Sequence, residues 1–347
     1  MKFLARRILQ GLLVIWGIVT LLFLIFYTLG DPTEYLVEDN ADEATKQAIR
    51  AKYGLDKPLF GQYLHYLNGL SPIGTLDPET TQSAYLGLFP VGQSTLAIKS
   101  PDLGISYQSQ RSVSEMIGSK LGGTAILAVS ALVFAGVLGI FLGVISALNA
   151  GNKWDQIILS ASVLGISAPS FFVGILVAWL FAVKLKTFTG LNVSGYLFED
   201  QIFGDGQWII WKNLFLPALA LGIRPLAVFI QLTRSSMIDV LSADYVRTAK
   251  AKGLSRSRVI LQHSLRNALN PVVTSMTGWL ASLLAGAFFI EYIFNWQGIG
   301  KLTIDALNTN DFPVIIGCVL TIGVIFVVIS IITDYVYTWL DPRVKVG

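Results

Sequence analysis

Long apolar runs separated by polar segments of very different length dominate the chain. Runs at about 8–29, 121–148, 157–183, 214–235, 272–293 and 313–340 each reach the ~20 residues that a helix needs to cross a bilayer. The fourth run is the weakest of them, because it carries Arg224 and two prolines, Pro217 and Pro225. The pattern predicts an all-α integral membrane protein with six transmembrane helices. A β-barrel would show short alternating segments instead. An even number of spans puts both termini on the same side.

Polar flanks set the expected orientation. Lys2, Arg6 and Arg7 precede the first run. That run is too long for a signal-peptide core, and no small-residue cleavage site follows it, so it reads as an uncleaved first span. The N-terminus, the 149–155 turn, the 236–270 insert and the tail "DPRVKVG" hold most of the Lys and Arg outside the long loop. Excess positive charge faces the cytoplasm, so both termini are expected there. The long segment 31–120 is then extracytoplasmic. In it "ADEATKQAIRAKYGL" reads as an amphipathic helix, starting near Ala41 or Asp42 and stopping at Gly54. "QYLHYLNGL" is a second short helical candidate. Residues 71–100 are rich in Gly, Pro, Ser and Thr and read as loop or a small irregular subdomain. The expected organisation is therefore an N-terminal end and first span (1–30), an external segment (31–120) and a core of spans two to six (121–347).

Composition narrows the chemistry. Of 347 residues 53% are hydrophobic and 14% charged, against roughly one quarter charged in a soluble domain. The single cysteine, Cys318, excludes an intrachain disulfide, and it reads as a small apolar packing residue. With His65 and His263 the only histidines, no structural zinc cluster or other metal site is expected. "NWQGIGKLT" lacks the first glycine and the final Ser or Thr of a phosphate-cradling loop. "GISAPS" lacks the glycine spacing of a nucleophile elbow, so Ser167 reads as a helix-contact residue. No catalytic residue and no cofactor bound by this chain are expected.

The 236–270 insert is the most structured polar stretch. Its part "YVRTAKAKGLSRSRVILQHSLRNALNP" has six Lys or Arg and no acidic residue. Ser242 can cap a first helix, Gly253 ends it and Ser255 caps a second. In the second, Leu261, Leu265, Ala268 and Leu269 form one apolar face. Asn270-Pro271 ends that helix and begins the fifth span. The result is a helix–turn–helix elbow with one face packed back on the protein and the other basic. Charge alone would suit a loop drawn to anionic lipid. Nucleic acid is a poor fit, since no aromatics interleave the charges. The order of residues favours a docking element: small residues at Thr248, Ala249 and Ala251, then a fixed glycine, then a histidine and an Arg-Asn pair.

That order resembles the cytoplasmic EAA loop of ABC-importer permeases, E-A-A-x-x-x-G-x(9)-I-x-L-P. Aligned on Gly253, its positions fall on Arg247, Thr248, Ala249, Gly253, His263, Leu265 and Arg266. Arg stands for the leading Glu and for the final Pro. Those departures resemble the peptide/nickel branch of importer permeases, which reads "YVRTARAKGLS…V…H.LRNAL.P". The resemblance extends to "GLDKPLFGQY" (54–63), "DLGISY" (102–107), "GISAPSFFVGIL" (165–176), "LTRSSMIDVLSADYVRTAKAKGLS" (232–255), "IEYIFNWQGIGKLTIDALNTNDFP" (290–313) and the ending "LDPRV". Residues 71–100 look like an insertion, and Pro101 stands where the family usually has Gly.

The resemblance implies a type I ABC importer permease in a bacterial cytoplasmic (inner) membrane. Its implied partners are a second homologous permease, two cytoplasmic ATPase subunits that carry ATP and Mg, and an extracytoplasmic substrate-binding protein. Di- or oligopeptides, glutathione-like peptides and nickel chelates are the substrates it implies, crossing between the two permeases. Tyr245–Leu254 is then the coupling helix. Tyr245, Arg247 and Lys252 would meet the ATPase groove, with Thr248, Ala249, Ala251 and Leu254 beside them and Gly253 at the turn. His263, Arg266, Asn267 and Pro271 would support it. Pathway candidates are Pro169, Phe171, Arg224 and Glu291. Arg224 either meets peptide carboxylates or is structural, and Glu291 reads mainly as structural. Trp296 and other aromatics near span ends read as interface anchors. Two other classes compete. An ion-coupled carrier or channel predicts buried acids along the spans, and only Asp334 and Glu291 come near. A non-transporting membrane scaffold leaves Arg224 unexplained.

Overall fold

The computed structural model describes residues 2–28, 43–52, 56–76, 85–91, 94–195, 198–200 and 207–340. The structure is mostly helical. The chain forms two compact units: Met1–Leu9, Lys120–Ile304 and Val324–Gly347 make the first, Gln10–Ser119 and Asp305–Gly323 the second.

The second unit holds most of helix α1 (Lys2–Thr28), the amphipathic α2 (Glu43–Lys52) and α3 (Leu59–Leu70). The expected limits of α2 at Ala41, Asp42 and Gly54 lie outside the described residues. Pro58 stands just before α3, where its missing N–H costs no helix bond. Thr20 and Tyr63 share a hydroxyl–hydroxyl bond of 2.7 Å, and the Phe23 ring lies against Tyr63 and Tyr66. Strands β1 (Ile73–Leu76), β2 (Tyr85–Val91) and β3 (Ser94–Lys99) form an antiparallel sheet in the order β1-β3-β2. Of the two readings of 71–100, loop or small irregular subdomain, the sheet replaces the first over these strands. "STLAIK" alternates in strand fashion, burying Ala97 and Lys99 while Ile98 is exposed. The turn-forming residues around it masked that period. In the same unit Asp311 accepts bonds from Ser106 Oγ (2.5 Å) and the Tyr107 N–H (3.0 Å), fastening "DLGISY" to "NDFP".

The first unit is built mainly from α4 (Val113–Leu148), α5 (Lys153–Ser167), α6 (Ser170–Val177), α7 (Lys186–Thr189), α8 (Trp211–Ser242), α9 (Asp244–Ala251), α10 (256–268), α11 (Asn270–Gly286) and α12 (Phe288–Ile293). A two-stranded ribbon, β4 (Phe198–Asp200) with β5 (Gln207–Ile209), precedes α8. Helices α13 (Ile299–Asn308) and α14 (Phe312–Leu340) pass from one unit to the other. The core joins Leu127, Val177, Leu216, Leu283, Ile290 and Phe294.

Among the described residues, α1, α4, α8 and α14 are long and apolar enough to span a membrane. The run expected as span three is bent by 114° between α5 and α6, which continues as a π-helix over Ala178–Lys184. Pro169 is the cause. It holds Ala168 extended (φ −74°, ψ 135°) and cannot donate to the helix before it. At 15 residues α5 reaches about 22 Å, short of a ~30 Å hydrocarbon core. The run expected as span five likewise breaks at Ala287.

The weakest expected span proves continuous. Helix α8 runs 32 residues through both prolines. Its neighbours supply the packing that offsets the lost backbone bonds. A Cβ on Gly139 would meet Phe229 Cβ at 2.7 Å, one on Gly143 would meet Thr233 Cβ at 2.5 Å, and one on Gly222 would meet the Ala131 carbonyl at 2.9 Å. Helices α4 and α8 thus approach backbone to backbone, as small residues allow in membranes.

Candidate functional site

The elbow begins where α8 stops. Ser242 is the last residue of α8 and its Oγ donates to the Asp239 carbonyl at 2.7 Å. It does not cap α9, as the sequence suggested; Ala243, extended at φ −69° and ψ 147°, holds that position. A short side chain inside a helix turns back to its own carbonyls in preference to the next element. In α9, Val246 and Ala249 are buried one turn apart, against Val259, Val240, Leu241 and Leu254. Ala249 and Leu254 therefore root the helix, and the exposed positions are Asp244, Tyr245, Arg247, Thr248, Lys250, Ala251 and Lys252.

Gly253 follows with φ +78°, a left-handed conformation that only glycine adopts freely. Ser255 stands at the start of α10 without a side-chain capping bond. Residues Val259–Leu265 then wind as a π-helix, and Ser264 Oγ donates to the Val259 carbonyl five residues back at 3.0 Å. Wider winding rotates the faces away from the α-helical period. Val259, Ser264 and Ala268 are buried, while Leu261 is 60% exposed. This corrects the expected apolar face at Leu261. The Asn267 amide donates to the Tyr245 hydroxyl at 2.9 Å, tying the two arms of the elbow together. His263 is half-buried and Arg266 exposed, and Pro271 lies in the first turn of α11.

The pathway candidates separate. Arg224 is the single exposed residue of α8 between Phe215 and Ser235. Pro169 and Phe171 are exposed at the α5–α6 bend, and the Phe171 ring lies 6.2 Å from that of Phe289. Glu291 is turned inward and fully buried. Its carboxylate accepts from Thr124 Oγ1 (2.7 Å) and from the Lys301 N–H (3.0 Å), while Thr124 accepts from the Ile299 N–H (2.8 Å). Glu291 and Thr124 together satisfy the first turn of α13. The glycines of "QGIG" make room for this: a Cβ on Gly298 would collide with the Glu291 carboxyl. Trp296 is also buried and donates to the Gly123 carbonyl at 2.9 Å, which replaces the expected interface role.

Sequence reasoning missed an ion pair with a buried carboxylate. Asp155, 2% exposed, opens α5. Its Oδ1 accepts from Arg234 Nε (2.6 Å) and Ser146 Oγ (2.5 Å), and its Oδ2 from Arg234 Nη2 (2.7 Å) and the Gly151 N–H (2.8 Å). The available signal was the cost of charge at the ends of apolar runs, which demands a partner.

Comparison with known proteins gives consistent results. The family profile described as binding-protein-dependent transport system inner membrane component matches residues 139–346, and that of its N-terminal region matches 1–128. A putative peptide permease protein of Brucella suis biovar 1 is 35% identical over 350 residues, covering 100% of this chain and 99% of that protein. A dipeptide transport system permease protein of Escherichia coli K12 is 34% identical over 364 residues, covering 99% of each. The fold is similar to a chain of a methionine ABC transporter crystallised in inward-facing conformations. The TM-score is 0.52 at 12% identity, over 66% of this chain and 97% of that one.

Proposed function

This chain belongs to the family of binding-protein-dependent transport system inner membrane components, and on that premise we infer that α9 is the element through which partner ATPases drive it. The chain is a non-catalytic permease subunit of an ABC importer, with ATP hydrolysed on separate subunits. One observation carries the reading of α9. Val246 and Ala249 anchor the helix at the end of α8, so Arg247, Lys250 and Lys252 are exposed, as are Tyr245 on the same helix and Leu261 on α10. Exposed aromatic and aliphatic side chains on an elbow rich in exposed Lys and Arg have the make-up of a docking surface.

Positive charge places the elbow, the 149–155 turn and both termini on the cytoplasmic side. The bent α5–α6 pair and the α11–α12 pair supply the remaining two of six spans. A second permease completes the pathway, and an extracytoplasmic binding protein delivers substrate. The names of the relatives support di- or oligopeptides as cargo. Arg224, the single exposed residue of α8 between Phe215 and Ser235, is the candidate to receive their carboxylate.

Cysteine cross-linking tests the docking surface. Lys252→Cys should form a disulfide with a cysteine placed in the groove of the ATPase subunit, and Val246→Cys should not. Equal cross-linking of both, or of neither, would overturn the assignment.

A further inference from the structure

We propose that the Asp155–Arg234 pair is a positioning clamp that makes the 146–155 corner travel with α8, so that α4, α5 and α8 answer the elbow as one body. The proposal rests on reading α9 as the coupling helix.

Three observations carry it. First, the carboxylate is saturated. Four donors from the end of α4, the 149–152 turn and α8 converge on its two oxygens, with the guanidinium bound through two nitrogens. That bidentate geometry fixes orientation as well as distance.

Second, the clamp sits where motion would arrive. Arg234 precedes the end of α8 at Ser242 by about 12 Å of helix, and α9 starts at Asp244. A push on α9 is carried along the unbroken α8 and reaches Arg234 first among its polar contacts to α5; the next is Gln231, whose amide donates to Ser162 Oγ at 3.1 Å.

Third, apart from the clamp itself and the Gln231–Ser162 bond, the contacts named between these helices are apolar and lack directional bonds. Gly139, Gly143 and Gly222 between α4 and α8, and Gly165 against Ile223 and Ala227, bring the helices close. Such apolar contacts hold the helices close without directional bonds. The ion pair cannot slide, because its bonds are directional. The Asp155 carboxylate is buried while the Arg234 side chain is 25% exposed, and such a pair adds little stability over apolar side chains of the same size. Fixing a register is the use that matches its position.

The test uses the assembled complex of this chain with its partner permease and ATPases, supplied with the binding protein for import. Spin labels at Asn152 and Ser235, both exposed, report the distance across the clamp. The expected result is one distance, unchanged between the nucleotide-free and ATP-vanadate-trapped states. A distance that changes between these states overturns the proposal, and this measurement needs no variant at the clamp. Asp155→Asn and Arg234→Lys in proteoliposomes add a functional readout. For variants that assemble at native levels, ATP hydrolysed per molecule of radiolabelled dialanine imported should rise about tenfold, within the usual range for coupled sites. Native stoichiometry in such a variant also overturns the clamp. Failure of the Lys252→Cys cross-link with an invariant distance would instead remove the coupling-helix reading and leave the clamp in place.

Discussion

Gly253 has φ +78°, and a Cβ built on it would meet nothing within 4 Å. Any cost of a side chain there is conformational, about 1–2 kcal/mol for an L-residue held left-handed. Gly253→Ala should therefore lower substrate-stimulated ATP hydrolysis of the complex, and Gly253→Asn much less, because Asn tolerates this region. Equal loss in both variants would point to contact instead of backbone. Arg224 gives a second residue-scale prediction. A hydrogen bond to a charged group is worth about 1.5–3 kcal/mol, so Arg224→Ala should raise KM for a free dipeptide by roughly 10- to 100-fold. Uptake of the same dipeptide amidated at its C-terminus should change little. A parallel loss for both would assign Arg224 to structure. Tyr245 was legible as a surface residue from its place in the motif. Its bond to Asn267 was not, because the two are 22 positions apart.

At the scale of elements, local residues explain most breaks. Pro169 bends α5 away from α6, and Gly253 closes the elbow, as their backbone preferences require. Pro217 and Pro225 do not break α8, since its glycine-lined packing outweighs the local preference. The π-winding of Val259–Leu265 has no counterpart in the hydrophobic period, and it is what exposes Leu261. The α12–α13 corner yields a stability prediction. Glu291→Ala strands the Thr124 hydroxyl and the Lys301 N–H at about 1–3 kcal/mol for each unsatisfied group. Gly298→Ala should destabilise the same corner by displacing the carboxylate. Thermal unfolding of the detergent-purified complex should show a lowered midpoint for both. Midpoints at the native value would mean that the carboxylate does not hold this corner.

At the scale of the molecule, large apolar side chains such as Leu9, Val137, Leu164 and Tyr335 lie exposed on apolar helices, as lipid or a second permease would require. Co-expression of this chain with its partner permease and ATPases should yield one complex that retains the ATPases through affinity purification of this subunit. Leu261→Ala should weaken that retention, whereas loss of no ATPase from this variant would remove Leu261 from the docking surface. Hydrophobic runs and charge asymmetry by themselves determined that the chain is a helical membrane protein, because bilayer thickness and backbone hydrogen bonding permit few other solutions. The ordered small residues around Gly253 marked the elbow, because turn geometry is a local property. Tertiary structure alone decided which residues face inward: Ala249 and Glu291 buried, Leu261 and Arg224 exposed, Asp155 joined to Arg234 across 79 positions. Such pairings depend on how helices pack, and a period along one helix carries no information about the side chains that meet it from another.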